Sequence, residues 1–398
     1  MKTEFDIIIV GAGLVGLTAA IALSQAGFKT ALFDRKTFTH KTRDPRASTL
    51  AASSYQLMKN VGLAETLKPH LQPIHDMMIG EGRPGRLSPL TLHFDGQQRA
   101  SVMAHMIENH RLMNALMSAA GTAPNLTLKL GSAVQACEFG SGHARLILAS
   151  GEAFNAKLIV AADGRSSAIR RAANIAVTTH PYGQSAIVAT AEHEKDHGGV
   201  AYQMFFPGGP FAILPLTGKR SSLVWSDTAR AAVAALALSD AEFTAEVARR
   251  FGDHLGAIKI TGPKLSYPLT LQMAESYTAP RLALIGDAAH VVHPIAGQGL
   301  NMGLRDVAAL TEVLVQAKST GLDIGGAELA GYAQWRRGDN RLLGLATDQL
   351  NTLFTSAVTP IRHLRRLGLS AVDKSSLARR FFMSEAAGET GELPKLLR

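Results

Sequence analysis

Apolar residues fill the chain from Ile7 to Leu23, a stretch of 17 residues punctuated by three glycines. The pattern divides it into a buried strand, Phe5 to Val10, a tight Gly-rich turn, and a helix from Leu14 to Ala26 closed at its C-terminal cap by Gly27. A second strand, Lys29 to Phe33, follows, and this β-α-β start predicts a parallel sheet. From Arg46 to about Met117 the spacing reads as mostly helical, with Leu112, Met113, Leu116 and Met117 along one face of Glu108 to Ser118. A strand from Lys157 to Ala162 ends in Asp163-Gly164. Short strand-like runs then dominate between about residues 175 and 275. Ala201 to Phe206 and Phe211 to Leu216 flank Pro207-Gly208-Gly209-Pro210, which reads as a hairpin turn, and Ser221 to Ser226 adds a third strand. Arg281 to Ile285 restores a buried strand before a helix from Leu300 to Gln316.

These elements predict an α/β chain. A Rossmann-like dinucleotide domain occupies 1–174, an antiparallel β-sheet is inserted at 175–275, the first domain resumes over 276–358, and a basic helical tail covers 359–398. With 398 residues, 46% of them hydrophobic, the chain can build a large core. Its single cysteine, Cys137, excludes an intrachain disulfide and a thiolate metal cluster, which suits a reducing, cytoplasmic location. Lys and Arg exceed Asp and Glu by 41 to 32, a surplus open to nucleic acid, an anionic membrane surface or an anionic cofactor. Nucleic acid fits poorly, because the positive charge is not interleaved with aromatic residues and no recognition motif occurs. A signal peptide or membrane span at Ile7 to Leu23 is rejected: Asp6 precedes it, Lys2 alone supplies a leading charge, and the glycines fit a phosphate-binding turn better.

Gly11, Gly13 and Gly16 stand at the G-x-G-x-x-G spacing between strand and helix, with Asp34 and the adjoining Arg35 after the next strand. Gly11 permits the tight turn, Gly13 lets backbone approach a pyrophosphate, and Gly16 lets helix and strand pack closely. The helix N-terminus offers free N–H groups and a positive dipole end to the phosphates, and Asp34 can accept a hydrogen bond from a ribose hydroxyl. This motif predicts a bound dinucleotide without separating FAD from NAD.

A second signature lies downstream: Gly286-Asp287-Ala288-Ala289-His290, then His293-Pro294-Ile295-Ala296-Gly297-Gln298-Gly299-Leu300-Asn301. Together with Asp163-Gly164 it resembles the single-component flavin aromatic hydroxylases. Within them the wording from His293 to Leu310 is most similar to the UbiH/UbiF/VisC ubiquinone-biosynthesis hydroxylases. The resemblance covers nearly the whole chain. It implies FAD as cofactor, NAD(P)H as a transient reductant docked across a groove, and O2 as co-substrate. It also implies a polyprenylated phenol hydroxylated through a flavin C4a-hydroperoxide, with the inserted sheet as substrate domain. Asp287 would hold the ribityl chain, and Gly286, Pro294, Gly297, Gly299, Leu300 and Asn301 would surround the flavin. The end of the helix opened by Gly297 and Gly299 would face the N1 and O2 edge of the ring.

Asp163 and Gly164, with Arg165 and Arg170, would lie near FAD and the path of the reductant, although Asp-Gly after a strand is also a common turn. Arg46 and Asn109 match flavin-contacting positions of the family and read equally well as surface or helix-packing residues. The cofactor carries the hard chemistry and the protein must supply a dry, apolar cavity. Phe205, Phe206, Phe211 and Pro215 are candidate walls, or ordinary core of the sheet. His290 and His293 are the candidates for a catalytic proton role, beside the alternative of a hydrogen-bonded scaffold.

No metal-ligand spacing or nucleophile elbow is present, and Trp225 and Trp335 stand alone. In the tail, Pro360 to Met383 carries six basic residues against one acid, with Ile361, Leu364 and Leu367 at helical spacing. That pattern suits a helix on the inner face of an anionic membrane, or within a ubiquinone-biosynthesis complex, and equally a helix docked on the protein's own body. A soluble phenol as substrate, or a flavin-dependent prenyl reductase, are the alternative activities.

Overall fold

The computed structural model describes residues 4–38, 44–83, 86–95, 102–355, 384 and 387–398. The first strand and helix fall where the periodicity places them. β1 (Phe5–Val10) is followed by α1 (Leu14–Gln25), and Gly27 takes φ +81° just beyond the helix. Ile7, Ile8 and Ile9 are entirely buried, each side chain stabilising the fold by about 1.5–3 kcal/mol. A strand buried on both faces loses the alternation expected of a half-exposed one, which is why the run reads as continuously apolar. Next comes β2 (Thr30–Asp34), parallel to β1.

Residues 46–117 depart from the expected helices. β3 (Ala47–Ala51) leads into α2 (Ala52–Asn60) and a single turn, α3 (Ala64–Leu67). Then follow β4 (Gln72–Ile74), β5 (Asp76–Arg83), β6 (Arg86–Asp95) and β7 (Ala104–Glu108), and only at α4 (Asn109–Thr122) does helix resume. β3, β7 and β4 form a small three-stranded sheet. β5 pairs in parallel with a strand more than a hundred residues later, Met77 opposite Ala201, and such long-range pairing leaves no local periodic trace.

β8 (Leu126–Leu130) extends the first sheet, and β9 (Val134–Phe139), β10 (Ala144–Leu148) and β11 (Ala153–Ala161) follow, β11 lying parallel to β1. A short helix, α5 (Ala168–Ala172), precedes the second large sheet. That sheet is built from two 17-residue strands, β12 (Val177–His193) and β16 (Ile258–Ala274), with β13 (Val200–Phe206), β14 (Gly209–Leu216) and β15 (Arg220–Thr228). Between β15 and β16 stand α6 (Ala229–Leu236) and α7 (Asp240–Phe251), which cover one face.

The chain returns through β17 (Thr278–Ala279) and β18 (Leu282–Leu284), touches the second sheet at β19 (His290–Val291), and continues through α8 (Gln298–Ser319) and α9 (Leu329–Thr355) to a short 3-10 turn at Lys395–Leu397. The first sheet runs β17-β18-β11-β1-β2-β8 and the second β19-β16-β12-β15-β14-β13-β5-β6. The second sheet therefore draws strands from two separate stretches of chain. No described helix is long and apolar enough to cross a membrane. The basic stretch 360–383 lies outside the described residues.

Candidate active site

Three backbone turns converge at the C-terminal ends of β1, β11 and β18. In the first, Gly11 takes φ +109° and Gly16 sits so close that an added Cβ would lie 1.9 Å from the Gly11 carbonyl oxygen. Gly13 is different: it caps α1 with an ordinary extended backbone, and a Cβ there would meet nothing within 4 Å. No side chain caps the helix, so its N-terminal N–H groups face the open space beside Gly13. That is a cradle for a diphosphate. Asp34 closes the turn by accepting from the N–H groups of Ala12 and Lys36, both at 2.7 Å, and Arg35 is exposed beside it.

The second turn follows β11. Asp163 Oδ2 accepts from the Ala168 N–H at 2.8 Å and so caps α5, while its Oδ1 is buried without a partner. Gly164 takes φ +85°. Arg170 ties this turn to the third by donating to the Ala288 carbonyl at 2.6 Å.

The third turn, after β18, holds Gly286 at φ +58° with its N–H donating to Asp306 at 3.0 Å. Asp287 is open to solvent yet surrounded by protein, as a residue lining a cleft must be. This desolvation raises its carboxyl pKa, against the pull of His290, Arg46 and Arg165. Gly297 adopts the left-handed conformation, φ +62°, and begins α8 with no side-chain cap. Gly299, in the first turn of that helix, also faces open space. The structure thus presents two uncapped helix ends with glycine-lined openings.

Arg46 and Asn109 are brought to the same cleft from β3's approach and the start of α4. Arg46 pairs with Asp44 at 2.7 Å and is felt electrostatically by Asp287. The Asn109 N–H donates to the Arg46 carbonyl at 2.9 Å, and its side-chain oxygen accepts from Ser48 at 2.6 Å. Asn301 spends its amide on backbone: it accepts from the Ala51 N–H and donates to the carbonyls of Thr49 and Gly297, all within 3.1 Å. Leu300 and Pro294 are partly exposed at the same end of α8.

The two histidines part company. His290 is buried and held by Asp306 at 2.6 Å, a scaffold contact. His293 is also buried, yet neither ring nitrogen has a partner, and burial lowers its pKa to about 4. Tyr182 meets it edge-on at 5.1 Å between ring centres. Sequence reasoning missed Tyr182, although Pro181 and Gly183 within a strand are a signal for the bulge that displaces it. Of the four candidate wall residues, Phe205 packs with Ile295 on the side of the flavin signature. Phe206 and Phe211 point the other way, into the core beneath α6 and α7. Pro215 is buried on β14 opposite Ser221. Among the described residues no group of three His, Cys, Asp or Glu could hold a metal ion.

The glycine cradles, the uncapped helix ends and the orphaned Asp163 oxygen fit a dinucleotide that offers hydrogen-bond donors and carries a second ring able to take up negative charge. A family model for the FAD binding domain matches residues 4–328. Ubiquinone hydroxylase UbiL of Rhodospirillum rubrum is 43% identical over 99% of this chain and 92% of its own. The 3-demethoxyubiquinol 3-hydroxylase of Escherichia coli is 33% identical over 96% and 98%. The chain belongs to the ubiquinone-hydroxylase group of FAD-dependent monooxygenases. Its fold is also that of p-nitrophenol 4-monooxygenase PnpA from Pseudomonas putida, with a TM-score of 0.82 at 18% identity over 99% of this chain and 100% of that one. In this flavoprotein monooxygenase FAD is the cofactor and NAD(P)H the transient reductant.

Proposed function

We propose that this monooxygenase hydroxylates the aromatic ring of a polyprenylated phenol in ubiquinone biosynthesis, using NAD(P)H and O2. The observation that carries the reading is the end-to-end 43% identity to a ubiquinone hydroxylase, joined to a buried, unpartnered histidine beside the flavin signature.

FAD supplies the redox and oxygen-activating chemistry when bound. The chain's own residues do the rest. The N–H groups at the start of α1, beside Gly13, would hold the diphosphate, and Asp34 retains lone pairs for a ribose hydroxyl. Asp287 would accept from the polyol, while Asp163, Gly164, Arg46 and Asn109 would line the same cleft. The N-terminal end of α8, opened by Gly297 and Gly299, would favour negative charge on the ring. Phe205 and Ile295 exclude water. His293, neutral at physiological pH because of its burial, can accept a hydrogen bond from the phenolic O–H at a free ring nitrogen and so enrich the substrate ring in electrons, while its lowered pKa disfavours holding the proton itself. The second sheet then serves as the substrate domain. The basic segment within 359–398 attaches the protein to an anionic membrane surface, which full-length protein floating with anionic liposomes would support and a failure to float would refute.

The reaction is tested by deleting the encoding gene and identifying the accumulating quinone precursor by mass spectrometry. A precursor lacking one ring hydroxyl, cleared by restoring the gene, is the expected result. Unchanged ubiquinone with no precursor overturns the proposal.

A further inference from the structure

His293 poses a problem of orientation. In a neutral imidazole either nitrogen can carry the proton, and a hydrogen bond at one of them ordinarily decides which. Neither nitrogen of His293 has such a partner among the described residues, although the side chain is fully buried. Its ring plane must therefore be set by packing. The ring that meets it is Tyr182, with centres 5.1 Å apart and planes at 81°, an edge-to-face arrangement that the quadrupoles of two rings favour.

Tyr182 is brought there by an irregularity in β12. Between the register pairs Pro181–Thr270 and Ser185–Pro268, β12 spends three residues where β16 spends one, and Gly183 within that bulge takes φ +67°. An extra residue in a strand re-aims the side chains around it. The bulge is pinned on two sides by the buried Gln184. Its Nε2 donates to the Gly208 carbonyl, before β14, at 2.9 Å, and its Oε1 accepts from Asn351 Nδ2 of α9 at 3.1 Å. α9 is itself pressed onto this corner at Gly344, where an added Cβ would meet Met273 of β16 and, at 3.9 Å, Val292 beside His293. On its other side Tyr182 meets the exposed His180 edge-on at 5.6 Å. A half-buried tyrosine is thus fixed between two histidines by elements that come from three separate parts of the chain.

From these contacts we infer that Tyr182 is a positioning residue for hydroxylation. Its ring, aimed by the β12 bulge, holds the His293 imidazole in the orientation that meets the substrate's phenol. The ring and not the hydroxyl carries this role, because the contact with His293 is between ring systems. The inference rests on the part given to His293 above.

The test uses full-length, FAD-loaded protein with ¹⁵N-labelled histidine, as wild type, Tyr182→Phe and Tyr182→Leu, with His293→Ala to identify the His293 signal by NMR. Wild type and Tyr182→Phe should show one dominant neutral tautomer of His293. Tyr182→Leu, which fills much of the half-buried site without a ring, should show two tautomers in exchange. On the phenol isolated from the deletion strain, product formed per NAD(P)H oxidised should fall about two- to tenfold in Tyr182→Leu, the range that loss of one edge-to-face ring contact supports. Tyr182→Phe should restore it, with FAD content and thermal midpoint alike in all three. A wild-type His293 signal in Tyr182→Leu overturns the inference, as does a Tyr182→Phe protein as impaired as Tyr182→Leu. A His293 signal that changes in Tyr182→Leu while product yield holds would confirm the contact and overturn the part given to His293 in the reaction.

Discussion

His290 Nε2 lies 2.6 Å from Asp306 Oδ2, and neither side chain reaches solvent. Asp306 also accepts from the Gly286 N–H, from Arg336 Nε at 2.9 Å and from Asn340 Nδ2 at 3.2 Å. One carboxylate therefore ties the Gly286-Asp287 turn to both long helices, α8 and α9. Burial would raise its pKa, but His290 and Arg336 outweigh that and hold it below the ordinary carboxylate range.

Asp306→Asn should cost up to about 3–5 kcal/mol, because the buried Arg336 would lose its buried carboxylate partner and keep only the half-exposed Asp339 at 2.8 Å as a charged partner among the described residues. Flavin retention should fall with it as the Gly286 turn loosens. Urea denaturation and the flavin absorbance of the purified protein check both, and a loss under about 1 kcal/mol would show that the hub is dispensable.

Two glycines five and two residues after Gly11 should respond oppositely to substitution. Gly13→Val meets open space at an ordinary backbone conformation, so the thermal midpoint without flavin should hold while bound FAD is lost. Gly16→Ala drives a methyl to 1.9 Å from the Gly11 carbonyl and should destabilise the fold by about 1–3 kcal/mol or more. If Gly13→Val kept its full complement of FAD, the cradle would lie elsewhere.

His293 should give stability a pH slope. Its folded pKa, about 4, lies below the ordinary value of 6.5, so the unfolded chain binds the proton more readily. Its contribution is complete above about pH 6.5 and is lost as pH falls towards 4, roughly 3 kcal/mol in all. Denaturation of wild type and His293→Leu across that window measures it, and parallel pH curves would contradict the assignment. His293→Ala should also change the pH dependence of hydroxylation; an unaltered profile with normal flavin content removes the residue from the proton path.

Asn301→Ala would leave the Ala51 N–H and the Thr49 carbonyl without their side-chain partner between β3 and α8. About 1–3 kcal/mol for each group left unsatisfied is the expected cost. Faster hydrogen exchange at the Ala51 amide would locate the effect, and unchanged protection there would show that another group takes over.

Sequence periodicity resolved what depends on neighbours in the chain. The strand, turn and helix of β1 and α1 follow from side-chain spacing and from glycines that only a close turn requires, and the Gly286 to Gly299 signature is similarly local. β12 escaped because Pro181 and Gly183 interrupt its pattern, and β5, with two glycines in Asp76–Arg83, takes its strand character from pairing with β13.

What the sequence alone determined was a dinucleotide cradle and the flavin signature that qualifies it, because both are written in consecutive residues whose backbone shape their own side chains dictate. Only the tertiary structure decided that His290 is clamped by Asp306 while His293 is buried without a partner, that Phe205 faces the cleft and Phe206 the core, and that residues from 44 to 263 share one groove. Those distinctions arise from burial and charge contributed by distant segments, and such neighbours exist only once the chain has folded.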